Sequence, residues 1–271
     1  MIHLKLAEHL KWVHLSSAGV TDAAKILKKT NIILTNSSGV HPIPISEHVV
    51  AFMLMFARQM NVSYRNQIER QTWTRNFGTM KVFELHGKTV GIVGYGKIGS
   101  QIAKVCKALG MKVFVLEHKK KVKDASIDAV YKSVNELLVN SDFVVNALPL
   151  TDKTAGYFDI KKFKLMSRSG SDGKPAAYFI NIGRGKTVVE KDLMIALKSN
   201  VIAGAGLDVF EQEPTPDSNP LWDMPNVIMT PHISGWTPEY TNRVIDIFCE
   251  DLKAFLKNET MPTEVDKNLG Y

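Results

Sequence analysis

Along the middle of the chain, short apolar runs alternate with stretches whose apolar residues recur at helical spacing. Lys88-Thr89-Val90-Gly91-Ile92-Val93 reads as a strand ending at Gly94, and Ile98, Ile102, Val105, Cys106 and Leu109 mark one face of a helix closed by Gly110. Residues 112–117 read as the next strand, Ser133-Val134-Asn135-Glu136 as a capping box opening a short helix, and residues 142–147 as a third strand. Further strands are expected at 177–181, 202–207 and 227–229, with a helix over 191–198. Strand and helix in turn imply parallel pairing through right-handed crossovers, with helices on both faces of the sheet. The pattern predicts a doubly wound α/β domain over residues 85–231.

Two longer helical patterns flank that domain. One runs from Ser46, read as a serine N-cap, to Glu69; the other covers Pro238 to Leu256, with proline at the first helical position. Trp12–Leu15 and Ile32–Thr35 read as two more strands. Residues 1–84 and 232–271 are expected to meet as a second, smaller domain. No internal repeat is visible, and residues 167–174 read as a polar surface loop.

Composition narrows the class. The chain has 271 residues, 45% hydrophobic and 23% charged, with Gly 18 and Pro 11, which excludes collagen-like, low-complexity and wholly disordered chains. The longest apolar stretch, Val49 to Ala57, is far short of the ~20 residues that span a bilayer, and the first residues hold no signal-peptide core. Cys106 and Cys249 make no disulfide framework and no metal motif, so a reducing, cytoplasmic compartment is expected, with no metal. The formal charge of +7 suits a small anionic ligand; the lysine run Lys119-Lys120-Lys121 lacks interleaved aromatics and reads as a solvated loop. Neither nucleic acid nor a membrane is expected as a partner.

The first candidate chemistry is Gly94-Tyr95-Gly96-Lys97-Ile98-Gly99, a G-x-G-x-x-G hexamer set between a strand and a helix. In that setting Gly94 permits the tight turn, Gly96 lets the backbone approach a pyrophosphate, and Gly99 lets helix and strand pack closely. The helix N-terminus offers amide donors to the diphosphate. Glu117 closes the second strand 18 residues after Gly99, where a carboxylate accepts from ribose hydroxyls and repels a 2′-phosphate. NAD is the expected cofactor. Lys119–Lys121 could neutralise a 2′-phosphate, which keeps NADP open.

Three further blocks follow putative strand ends: Asn181-Ile182-Gly183-Arg184-Gly185, Asp208-Val209-Phe210-Glu211-Gln212-Glu213-Pro214 and Thr230-Pro231-His232-Ile233-Ser234-Gly235. In open parallel sheets the ligand lies outside the carboxyl ends of the strands, so all three loops can converge on the cofactor. Hydride delivery to a ketone leaves a developing alkoxide, which needs a proton from a group titrating near neutrality, and histidine does that best. A carboxylate beside it favours the imidazolium, and a guanidinium grips a 2-keto acid and polarises its carbonyl. His232, Glu213 and Arg184 supply one of each.

Together these four blocks resemble the signatures of the D-2-hydroxyacid dehydrogenases, a family that includes glyoxylate/hydroxypyruvate reductases and an NAD(H)-sensing co-repressor branch. The resemblance implies a Rossmann cofactor domain inserted in a smaller, discontinuous flavodoxin-like α/β substrate domain. It implies Arg184 as the substrate-binding arginine, Glu213 as the acid paired to histidine, and His232 as the proton donor. Cofactor contacts would come from Gly94, Gly96, Lys97, Ile98, Gly99, Glu117, Leu148, Pro149, Thr154, Ile182, Gly183, Asp208, His232 and Gly235. The backbone amides of Ala18 and Gly19 would hold the substrate carboxylate. The helix at Glu47-His48 and the segment to Phe83 resemble the family's dimerisation arm, implying a homodimer. Family members usually carry some fifty residues before the segment that begins here, so an N-terminally incomplete substrate domain is expected. The expected activity is reduction of small 2-keto acids such as glyoxylate, with a cofactor-sensing or inactive relative as the alternative.

Overall fold

Every residue of Thr89–Val93 (β3) is buried, as expected for a strand covered on both faces. In the computed structural model, which describes residues 7, 9–70, 73, 82–117, 123–166 and 176–268, this strand lies inside a seven-stranded sheet, third from one edge. On one side lie Lys112–Leu116 (β4) and Ala129–Tyr131 (β5). On the other lie Phe143–Asn146 (β6), Tyr178–Asn181 (β7), Gly204–Leu207 (β8) and Val227–Met229 (β9). All neighbours pair in parallel, in the order β5-β4-β3-β6-β7-β8-β9. Strand order reverses between β3 and β6, and such a reversal opens a crevice at the carboxyl ends of the strands. The lysine run at 119–121 and the loop at 167–174 lie outside the described residues.

The covering helices are amphipathic by sequence. Lys97–Ala108 (α4) buries Gly99, Ile102, Ala103 and Cys106 on one stripe and leaves its lysines outward. Val134–Val139 (α5), Ile160–Leu165 (α6) and Glu190–Lys198 (α7) complete the larger unit's cover. The capping box at Ser133 does not form: Ser133 is the N-cap of α5, but its side chain makes no cap hydrogen bond. An aspartate does that work elsewhere, Asp159 accepting from the Lys162 amide at the start of α6.

Two compact units are present, one of residues up to His41 with Trp236 onward, the other Pro42–Gly235. This differs from the boundaries expected at 84/85 and 231/232. Residues Pro42–Ala57 form a helix (α2) that packs on α4 and lays Phe52 against β8, where the Gly206 position leaves no room for a Cβ beside the ring. Burying Val49, Phe52, Met53 and Phe56 on that face binds α2 to the sheet, at about 1.5–3 kcal/mol per large side chain. The helix starts at Pro42 rather than Ser46, whose hydroxyl donates back to the Ile43 carbonyl. It stops at Ala57; Gln59 takes a left-handed conformation before Met60–Arg65 (α3) and a single π turn at Asn66–Arg70.

The smaller unit contains Trp12–Leu15 (β1), Thr21–Leu27 (α1) and Ile33–Asn36 (β2), a parallel strand–helix–strand unit with Tyr240–Leu256 (α8). Val20, Ala24, Leu27, Leu34 and Val265 form its core.

Candidate active site

The glycine-rich turn joins β3 to α4. Gly94 sits at φ +106°, and a Cβ there would stand 2.7 Å from the Ala147 carbonyl at the end of β6, so only glycine fits the turn. Gly99 packs on the Gly94 carbonyl so closely that a Cβ would overlap it. Gly96 is different. Nothing lies within 4 Å of where its Cβ would point. The fold does not need glycine there; the room is what a pyrophosphate approaching the backbone needs. Gly96 is also the N-cap of α4 and makes no side-chain cap there, and a helix N-terminus is favourable ground for an anion. Gly96 and Lys97 are exposed and Ile98 is half-buried. Tyr95 donates to Asp124 at 2.7 Å; burial, with help from that bond, pushes its phenol up to about 12. Glu117 follows β4, its amide donating to the Tyr131 carbonyl.

The next two strand ends are tied together by buried amides. Asn146 Nδ2 donates to Asn181 Oδ1 at 2.9 Å and to Thr187 Oγ1 at 2.7 Å, while the two side-chain oxygens accept from the Leu148 and Gly183 amides. These asparagines fix the loops that carry Leu148 and Pro149 on one side and Ile182, Gly183 and Arg184 on the other. Thr154 turns its hydroxyl inward to the Pro149 carbonyl and accepts from the Thr151 amide, so its side chain braces this loop. Arg184 is exposed, its guanidinium donating to the Gly183 carbonyl at 2.7 Å. A Cβ on Gly185 would overlap the Phe210 carbonyl, which brings the Arg184 loop against the loop after β8.

On that loop, Glu213 Oε1 accepts from the Phe210 amide at 2.9 Å, and Oε2 meets His232 Nδ1 at 2.7 Å. The imidazole is 49% exposed and the carboxylate 35%, so the pair stands at the surface with Nδ1 committed to Glu213. His232 has φ +55°, a left-handed conformation costing a non-glycine residue roughly 1–3 kcal/mol. Asp208 holds it there. Its fully buried carboxylate accepts from Thr230 Oγ1 at 2.7 Å and from the amides of Ile233 and Ser234 at 2.9 and 3.0 Å, and its carbonyl accepts from the His232 amide at 2.9 Å. In this structure Asp208, expected among the cofactor contacts, spends its side chain on the His232 loop. Gly235 ends the same segment.

Arg184, Glu213 and His232 thus lie on three loops linked by direct contact, at the carboxyl ends of β7, β8 and β9. Ala18 and Gly19 lie in the smaller unit, on the loop between β1 and α1, where Asn36 Nδ2 donates to the Ala18 carbonyl at 2.8 Å. Sequence reasoning missed the bracing residues Asn146, Asn181, Thr187 and Thr230, and gave His48 no part in the site. His48, on α2, approaches Thr230 Oγ1 at 3.0 Å. The available signal was one imidazole among the apolar residues of α2, four positions before the buried Phe52.

A family model described as D-isomer specific 2-hydroxyacid dehydrogenase, NAD binding domain, matches residues 50–234. The glyoxylate reductase of Pyrococcus furiosus is 36% identical over 247 residues, covering 89% of this chain and 71% of that one. Among solved structures, the NADPH-dependent glyoxylate/hydroxypyruvate reductase of Sinorhizobium meliloti, in complex with NADP and sulfate, superposes with a TM-score of 0.82 at 32% identity, over 97% of this chain and 80% of its own. A probable 2-hydroxyacid dehydrogenase of Rhizobium etli, bound to NADP, HEPES and L(+)-tartaric acid, gives 0.85 at 29% identity, over 99% and 82%.

Proposed function

The chain belongs to the D-isomer specific 2-hydroxyacid dehydrogenases, NAD(P)-dependent oxidoreductases of 2-keto and 2-hydroxy acids, and on that premise we propose that His232, Glu213 and Arg184 carry its chemistry. A nicotinamide cofactor, when bound, supplies or takes up the hydride. As the substrate carbonyl oxygen becomes an alkoxide it needs a proton, and His232 gives it from Nε2. Glu213, oriented by the Phe210 amide, accepts from Nδ1, which fixes the ring and puts the transferable proton on the exposed side. Arg184 turns from the Gly183 carbonyl to the substrate carboxylate, a planar charge-assisted clamp. The observation that carries this reading is the 2.7 Å contact between Glu213 and a half-exposed His232.

Small 2-keto acids of the glyoxylate and hydroxypyruvate type are the proposed substrates, supported by the names of the Pyrococcus and Sinorhizobium proteins. The carboxylate of Glu117 at the end of β4 favours NADH over NADPH. Two thiols without a disulfide, one of them (Cys106) pushed up to about 12 by burial, suit the cytoplasm. Met60, Tyr64 and Ile68 recur every fourth residue along one exposed face, an apolar stripe that fits a second copy of the chain.

The test is His232→Ala, assayed with glyoxylate and hydroxypyruvate against NADH and NADPH. Turnover is expected to fall by about 10²–10⁴-fold, the usual share of a general acid, with cofactor affinity nearly unchanged. Normal reduction by this variant sinks the assignment.

A further inference from the structure

His48 lies outside the three residues assigned to the chemistry, yet it is wired to the loop that carries one of them. Its Nε2 is 3.0 Å from Thr230 Oγ1 and 4.0 Å from Asp208 Oδ1. The Thr230 hydroxyl has one hydrogen, and Asp208 takes it at 2.7 Å. A carboxylate oxygen that also accepts from the Ile233 amide has none to give back. Thr230 can therefore only accept from His48, which fixes the His48 proton on Nε2. The ring is held edge-on to Phe52, centroids 4.7 Å apart at 90°, so α2 sets its direction. Burial holds the imidazole below its ordinary protonation range and outweighs the opposing pull of Asp208, so the donor is the neutral ring.

From this chain of contacts we propose that His48 is a positioning residue, acting through Thr230 and Asp208 to keep His232 in its left-handed conformation with Nε2 presented to substrate. The proposal rests on His232 being the proton donor. Four hydrogen bonds end on Asp208, three on its carboxylate and one on its carbonyl, and the Thr230 bond among them is the one oriented from a second structural element. Without the His48 donor the Thr230 hydroxyl can rotate away from Asp208, and the loop loses the link that fixes it to α2. A displacement of order 1 Å at a proton donor is enough to lower turnover by ten- to a hundredfold.

The experiment compares His48→Leu, which removes the donor, with His48→Gln, whose carboxamide can still donate to Thr230. Glyoxylate reduction, NADH binding and thermal unfolding are measured on the full chain, with His232→Ala in parallel. His48→Leu is expected to lower kcat about tenfold or more, while KM and NADH affinity stay within about threefold; His48→Gln is expected to restore most of the loss. Wild-type kcat in His48→Leu overturns the proposal, and so does an equal loss in both variants. If His232→Ala turns over normally, the failure belongs to the proton-donor reading instead. Should His48→Leu not fold, Thr230→Val breaks the same link from the other side, Thr230→Ser keeps it, and the same outcomes decide.

Discussion

Each unit of this molecule contains a buried aspartate wired to a histidine and a threonine, and only one of the two arrangements bears on the proposed site. In the smaller unit Asp251 on α8 is fully buried, accepts from the Thr263 amide and hydroxyl, and lies 3.3 Å from His14 Nδ1. His14 spends both ring nitrogens, one on Thr35 at 2.8 Å and one on Ser37 at 3.1 Å. Trp12 donates to the same threonine and is stacked between Phe248 and Phe255. All of that polarity is consumed in joining β1, β2, α8 and the segment after it. In the larger unit, Asp208 spends its bonds on a loop, and the loop holds a different histidine, His232, half-exposed and in a strained conformation. A buried His–Asp contact is thus a poor marker of chemistry. Strain beside an exposed, half-committed ring at a strand's carboxyl end is the better one.

The contrast can be broken by experiment. After His232→Ala, the largest effect is expected at Arg184, an exposed group whose loss should touch chemistry without touching the fold. Arg184→Ala should lower kcat/KM about 10²-fold or more, raising KM and depressing kcat together, since it acts on substrate and transition state alike. An unchanged kcat/KM removes it from the site. Next comes the same substitution at both aspartates. Asp208→Asn is expected to lower kcat/KM by about 10–10²-fold through the His232 loop. Asp251→Asn is expected to cost about 1–3 kcal/mol in urea unfolding and leave kcat/KM of the folded protein within about threefold. If the two variants behave alike, the distinction drawn between the two networks is wrong.

Sequence reasoning reached one side of this contrast further than the other. Strands β3, β4 and β6–β9 were legible because they are buried runs punctuated by glycine or by polar strand ends, and the parallel order followed from the helices between them. β5 escaped because Ala129–Tyr131 is a short edge strand with an outward Val130. α1 and α6 escaped because a helix of six or seven residues shows too little periodicity to read and, unlike α5, neither opens on a capping-box sequence. The loop placement of Arg184, Glu213 and His232 was legible because each stands a few residues past a strand, and the roles read for them are those proposed above. The support beneath them was not: His48 and Thr230 are 182 residues apart, and nothing local in either stretch announces the other. Asp208 was expected among the cofactor contacts from the family resemblance alone, and the burial that commits its carboxylate to the His232 loop is not visible in sequence.

A smaller effect is expected at the cofactor end of the larger unit. Glu117→Ser should shift the ratio of kcat/KM for NADH over that for NADPH by about tenfold toward NADPH, a difference of ~1.4 kcal/mol, by removing a carboxylate that repels a 2′-phosphate. An unchanged ratio takes Glu117 away from the ribose. Because Glu117 is far along the sheet from His232, kcat with saturating cofactor should hardly change, separating recognition from proton transfer within one unit.

The smallest effect concerns pH and bears on His48. Burial lowers the His48 pKa below its ordinary value of 6.5, and the charged group facing it, Asp208, offsets this only in part. The unfolded chain therefore binds a proton at that position more readily than the folded one. The resulting stability is fully present above pH 6.5 and is lost as pH falls through that value toward the lowered one. Urea unfolding of the wild type and of His48→Gln, which cannot titrate there, should converge or cross as pH is lowered from 7.5 to 5. Because His48 bears on the loop carrying His232, kcat at saturating substrate should weaken over the same interval in the wild type by more than in His48→Gln. Parallel pH profiles for the two proteins, in both stability and kcat, leave the His48 imidazole no titrating role in holding the loop.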